Sequence, residues 1–204
     1  MFAAGPDQAA AISFPPDSRI IVADGGAGHA RTLGLAVDVA VGDFDSIAAP
    51  DLEALERAGT RIVRHERAKD ATDLELALDL ALEEQPRRIL VVGSGSGRTD
   101  HTFGQMQLLA SDAYRSVEMD AQLGAASIHV IRGERLLTGA PGDLISLFAV
   151  HGPAEDVVTE GLVYSLHGET LAPGSSRGVS NVFAAARARI TVEHGVLLAV
   201  RPSI

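Results

Sequence analysis

The chain has 204 residues, enough for one large domain or two small ones, and 46% of them are hydrophobic, so a real core can be buried. Its 17 Lys and Arg against 27 Asp and Glu give a formal net charge of -10, which argues against non-specific binding to nucleic acid or to an anionic membrane, since both need a basic surface. Cysteine is absent, so disulfides, thiolate chemistry and Cys-based zinc sites are excluded.

No continuous apolar stretch is long enough to span a bilayer, and residues 1–14 lack a basic n-region and a cleavage pattern, so the expectation is a soluble, cytoplasmic protein. In chain order, Met1-Phe2-Ala3-Ala4-Gly5 reads as the end of a short strand followed by a turn. Residues 20–23 form an apolar run that stops at Asp24-Gly25-Gly26, and residues 35–41 form a second run that leads into Gly42-Asp43-Phe44-Asp45-Ser46. Residues 50–58 predict a helix with Leu52 and Leu55 on one face, and Arg61-Ile62-Val63 a short strand leading towards Lys69-Asp70-Ala71-Thr72-Asp73. Thr72 and Glu75 fit a capping box, after which Leu74, Leu78, Ala81 and Leu82 recur at helical spacing. Ile89-Leu90-Val91-Val92 is the clearest strand. It runs into a glycine-rich loop ending in Gly97-Arg98-Thr99-Asp100-His101, and a helix is expected from about residue 101 to 114.

This strand–loop–helix alternation predicts a parallel sheet covered by helices, with ligands at the carboxyl ends of the strands. After Gly124 the rhythm changes. Residues 127–131, 135–138, 144–150, 190–192 and 196–200 are short apolar or alternating runs separated by Gly- and Pro-containing turns, the pattern of an antiparallel sandwich. The fold class is therefore α/β: an N-terminal parallel-sheet α/β domain, residues 1–124, followed by a C-terminal antiparallel β-sandwich domain, residues 125–204.

The acidic segments carry the chemistry. Carboxylates at strand ends, beside flexible backbone and one arginine, suit a magnesium–polyphosphate site. If the stretch is extended, Asp43 and Asp45 point to the same side, because strand periodicity is two. Alternatively they cap a turn or the following helix. Asp70 and Asp73 precede or begin a helix, where the dipole favours acidic residues but where a nearby N-terminus also attracts phosphate. Lys69 beside them either contacts phosphate or balances charge. The loop from Gly93 is no Walker loop, because only three residues separate Gly93 from Gly97 and Arg98 stands where lysine is required. Its glycines still admit an anion to the backbone, and Arg98 offers a fork of donors to phosphate. Asp100 is a further metal or substrate candidate, and His101 orients a neighbour or caps the helix. Far along the chain, Arg177-Gly178-Val179-Ser180-Asn181 reads either as a plain loop or as a hydrogen-bonding edge for a small heterocycle.

Together, Asp-Gly-Gly-Ala from Asp24, Gly-Asp-Phe-Asp-Ser from Gly42, Lys-Asp-x-Thr-Asp from Lys69, Gly-Arg-Thr-Asp-His from Gly97 and Arg-Gly-Val-Ser-Asn from Arg177 resemble the bacterial form of the thiamine pyrophosphokinase family. The resemblance runs from Asp24 to Asn181. It implies transfer of the pyrophosphoryl group of ATP to the hydroxyl of thiamine, with AMP released. It implies that Asp43, Asp45, Asp73 and Asp100 hold magnesium and phosphates, and that Arg98 stabilises charge on the transferred group. Asp24, Gly25, Gly26, Lys69, Asp70, Thr72, Gly97, Thr99 and His101 are then expected near ATP, and Val179, Ser180 and Asn181 at thiamine. A homodimer with active sites between subunits is implied too, the first domain catalytic and the second thiamine-binding and dimerising. The chain departs from animal and fungal members by lacking tryptophan, on which those stack thiamine. Val179, Tyr164, Phe183 and His167 are the candidates to replace that contact.

Two other readings compete. A pyrophosphokinase with another acceptor, such as a hydroxymethyl pterin, would share the first-half motifs but differ in the late loop, and Ser180-Asn181 favours thiamine. A non-catalytic nucleotide- or thiamine-binding protein would have no need for every acidic position that this chain keeps.

Overall fold

The computed structural model describes residues 14–45, 47–66, 70–93 and 98–202. The strand end expected at residues 1–5 lies outside them, as do Ser46, Lys69 and Gly97. The chain divides into two compact units, Met1–Thr102 with Ala121–Ala125, and Phe103–Asp120 with Ala126–Ile204. Among the described residues no helix is long and apolar enough to cross a membrane.

The first unit is built on three parallel strands, β1 (Ile21–Ala23), β2 (Val39–Gly42) and β3 (Arg61–Arg64), hydrogen-bonded in that order. Ala23 pairs with Val41, and Val41 with Val63, so the strand ends are level. β1 and β2 are buried along their whole length, which is why they read as unbroken apolar runs rather than alternations. β3 is the edge, with an arginine at each end in contact with solvent. Helix α1 (Ala27–Thr32) follows β1, and α2 (Ala49–Arg57), with Pro50 in its first turn, connects β2 to β3.

Helix α3 (Asp73–Glu83) starts as its sequence requires: Thr72 is the N-cap, and its Oγ1 accepts from the Glu75 N–H at 3.2 Å. Leu74, Ala77, Leu78 and Ala81 are its buried face, and full burial of a leucine such as Leu78 contributes about 1.5–3 kcal/mol. β4 (Arg88–Gly93) shares the core through Val92, which packs with Ile20, Val22, Ala40 and Phe44. Its hydrogen-bonded neighbour is β5 (Glu118–Leu123). The helix after β4, α4 (Thr99–Leu109), begins earlier and ends earlier than expected. A separate 3-10 turn at Asp112–Tyr114 accounts for the rest of that prediction.

The second unit is antiparallel. β6 (Ala126–Thr138), β7 (Leu144–Ala149), β8 (Ala154–Glu160), β9 (His167–Leu171) and the two-residue β10 (Asn181–Val182) are arranged around β11 (Arg187–Arg201). The runs expected at 127–131 and 135–138 are one strand, and so are those at 190–192 and 196–200. β11 stays continuous through a bulge. From Val192 to Leu197 it advances five residues while β6 moves only from Gly133 to Ile131, and Gly195 takes φ +91 within it. A Cβ on Gly195 would lie 2.3 Å from the Pro153 carbonyl oxygen, so no other residue fits. Before the bulge β11 pairs with β6 and β8, and beyond it with β6 and β7. One strand thus serves both layers of the sandwich, and Ile190, Val192, Leu197 and Ala199 enter a common core with Ile131, Leu147, Val157 and Phe183.

Candidate functional site

Two features stand out, one in each unit. In the first, level strand ends bring acidic residues together. Asp24 follows β1 in a 3-10 turn with φ +37, and it is only 8% exposed. Asp43 and Asp45 follow β2. One carboxylate oxygen from each of Asp24, Asp43 and Asp45 lies within 4.8 Å of the others. Asp73, the first residue of α3, joins them: a Cβ built on Gly42 would lie 3.1 Å from Asp24 Cβ and 3.2 Å from Asp73 Oδ1. Gly42, at φ +151, is what allows the four acids to close around the end of β2.

The stretch holding Asp43 and Asp45 is not extended. Asp45 N–H donates to Asp43 Oδ1 at 3.1 Å, and Phe44 between them is left-handed at φ +58. The conformation is held because the Phe44 ring is buried in the core and the Arg64 guanidinium lies 5.2 Å from its centroid. Turn and carboxylate cluster are therefore the same object: the turn places both acids towards Asp24. Asp24 itself was expected only as a nucleotide contact. The signal for its place in the cluster was its position directly after β1, level with Gly42.

Burial, followed by the charges of Asp73, Asp43 and Asp45, pushes the Asp24 carboxyl above its usual range, against a smaller opposing effect of the Gly25 N–H. A set of hard oxygen donors that repel one another fits a divalent cation, which supplies the missing positive charge.

The remaining expected residues fall nearby in sequence but differ in engagement. Arg98 and Asp100 grip each other, Nε to Oδ1 at 3.2 Å and Nη2 to Oδ2 at 2.5 Å. The guanidinium holds the Asp100 carboxyl down to about 2. Both are exposed, as are Thr99 and His101 in the first turn of α4 and Asp70 in the bend before α3. Thr72 is committed to its cap. Gly25 and Gly26 form the turn after Asp24, whose carbonyl accepts from the Ala27 N–H.

In the second unit, the 175–181 loop, Tyr164 and Leu166 line a cavity of about 560 Å³. Val179 and Ser180 line it and are exposed, with Ser180 left-handed at φ +56 and its N–H donating to Ser146 Oγ at 3.0 Å. Asn181 is buried, and its amide is engaged internally. Nδ2 donates to the Tyr164 carbonyl at 2.8 Å, while Oδ1 accepts from the Tyr164 N–H at 3.0 Å and the Val182 N–H at 2.8 Å. Asn181 therefore fixes Tyr164, which is 62% exposed and is the aromatic residue of the cavity lining. Of the other candidates for an aromatic contact, Phe183 is in the core, and His167 lies outside the lining.

Two family models match the chain: "Thiamin pyrophosphokinase, catalytic domain" over residues 15–120 and "Thiamin pyrophosphokinase, vitamin B1 binding domain" over residues 127–197. The thiamine pyrophosphokinase of Bacillus subtilis (strain 168) is 29% identical over 172 residues, covering 79% of this chain and 77% of its own. Thiamine pyrophosphokinase 1 of Oryza sativa subsp. japonica is 27% identical over 172 residues, covering 78% of this chain and 64% of its own. The crystal structure of the Bacillus subtilis protein superposes with a TM-score of 0.83 at 27% identity, over 94% of this chain and 90% of that one.

Proposed function

The chain belongs to the thiamin pyrophosphokinase family, and on that premise we propose that it transfers the pyrophosphoryl group of ATP to the hydroxyl of thiamine, giving thiamine diphosphate and AMP. The observation that carries the reading is the convergence of Asp24, Asp43, Asp45 and Asp73 in the stretch matched by the catalytic model. The vitamin B1 model covers the cavity of the second unit, which supports placing the acceptor there.

In this proposal Asp24, Asp43, Asp45, Asp73 and Asp100 would hold magnesium. Magnesium supplies charge neutralisation for the polyphosphate and a template for its oxygens. Arg98 exchanges Asp100 for phosphate oxygens and stabilises charge on the transferred group, since positioning and electrostatics supply most of the catalysis in phosphoryl transfer. Gly25, Gly26, Lys69, Asp70, Thr72, Gly97, Thr99 and His101 surround the nucleotide. Val179 and Ser180 meet thiamine, Tyr164 offers its ring to the cationic acceptor, and Asn181 holds Tyr164 in place. Residues 1–124 are the nucleotide-binding part, and residues 125–204 bind thiamine and form the homodimer, each active site completed by a second copy. The protein acts in the cytoplasm.

Product analysis with purified protein, ATP, magnesium and thiamine tests the reading. AMP appearing with thiamine diphosphate is the expected result. ADP with thiamine monophosphate would mean transfer of the terminal phosphoryl group alone and would overturn the assignment of the transferred group. No turnover with thiamine, together with turnover of a hydroxymethyl pterin, would overturn the acceptor.

A further inference from the structure

The acceptor cavity rests on β10, whose two residues pair with Ile145 and Leu144 of β7, while the Val182 carbonyl accepts from the Val163 N–H at 2.8 Å. So short a ladder is marginal by itself. The residue that follows it, Phe183, is 1% exposed and tied on both sides of its backbone: its N–H donates to the Asp143 carbonyl and its carbonyl accepts from the Gly142 N–H, each at 2.9 Å. Its ring packs so closely on Gly139 that a Cβ there would lie 2.9 Å from ring carbons. The Arg201 guanidinium lies 5.0 Å from the centroid of the same ring.

Arg201 does more than cover the ring. Nη1 donates to the Thr138 carbonyl at 2.7 Å and Nη2 to Asp143 Oδ2 at 3.0 Å, while the same Asp143 oxygen accepts from the Ala140 N–H at 2.9 Å. One guanidinium, with its side chain 24% exposed, therefore ties the end of β6, the turn at residues 139–143 and the Phe183 ring. The cavity begins two residues before Phe183. There Asn181 holds both backbone groups of Tyr164, and Ser180 precedes it.

We infer that Arg201 is a positioning residue for acceptor binding, setting the affinity for thiamine through Phe183 and β10. The inference rests on the acceptor reading given above. An arginine that only held the second unit together would lower stability and leave the acceptor constants alone, so the two roles separate in kinetics.

The test uses the full chain with Arg201→Ala and Arg201→Lys, and with Asp143→Asn as a second way to weaken the tie if Arg201→Ala does not fold. Thiamine binding by calorimetry without ATP, KM for thiamine and for ATP, kcat and thermal melting are measured on each. The expected result is a rise of roughly three- to thirtyfold in both the Kd and the KM for thiamine in Arg201→Ala, the range lost with a partly desolvated cation–π contact. KM for ATP and kcat stay within about twofold, and Arg201→Lys recovers part of the loss. A lower melting temperature with unchanged thiamine Kd overturns the inference, and so does a parallel loss in kcat and both KM values. Unsubstituted protein that does not use thiamine overturns the acceptor reading and the inference with it; turnover by that protein with no change in the variants overturns the inference alone.

Discussion

Gly42→Ala tests the geometry of the acidic cluster without removing any charge. The added methyl would lie 3.1 Å from Asp24 Cβ, 3.2 Å from Asp73 Oδ1 and 3.3 Å from Asp24 Cα, at a backbone φ of +151. Asp24 sits in a 3-10 turn directly after β1, so its Cα has little freedom to retreat, and the adjustment falls on the carboxylates. Strain at such a position costs about 1–3 kcal/mol. For a chain of this size that lowers the melting temperature by roughly 2–12 °C. A misplacement of about 1 Å costs about a hundredfold in rate, so a shift of a few tenths of an ångström is expected to cost about tenfold in AMP release. Melting by circular dichroism and AMP formation with ATP, magnesium and thiamine provide the assay. An alanine variant with the melting temperature and turnover of the unsubstituted chain would refute the claim that Gly42 makes the space in which Asp24 and Asp73 meet.

Asp43→Asn with Asp45→Asn should lower turnover by at least about a hundredfold while the protein stays folded, because the pair belongs to the cation-binding cluster and the change relieves like-charge repulsion; near-normal activity in the double variant would sink the metal assignment. Asp24→Asn should raise the melting temperature near neutral pH in chelator. The Asp24 carboxyl is pushed up by burial and by Asp73, Asp43 and Asp45, so its contribution is favourable when protonated and is lost as pH rises through the raised folded value. The difference between the two proteins should close as pH falls below the usual carboxylate range, and a pH-independent difference would contradict it. Asn181→Ala leaves two backbone groups of Tyr164 and one of Val182 without their partner, at a cost of about 2–4 kcal/mol, visible in denaturant titration.

Local chemistry was legible in the sequence where the chain satisfies itself locally. The Thr72 cap needs only the Glu75 N–H three residues on, and the buried face of α3 needs only its own spacing. The acidic motifs were likewise legible as strand ends. What the sequence hid depends on partners distant in the chain. β8 carries Glu155, Asp156 and Glu160, and Asp156 at φ +50 breaks its alternation, so it reads as polar loop until β11 and β9 flank it. β11 reads as two runs because the bulge interrupts its period, and only the pairing to β6 on both sides of Gly195 joins them. In the same way, Asn181 reads as a ligand contact until the loop around Tyr164 folds onto it.

The path of β11 bears on how the second unit is made. β6, β7 and β8 each pair with this one strand, which follows them in the chain. Neither layer of the sandwich is complete while β11 is still within the ribosome, so the earlier strands must wait with exposed edges. Closure then consists of contacts between residues far apart in sequence, the kind that forms slowly and leaves unpaired strands open to misassociation in the interval.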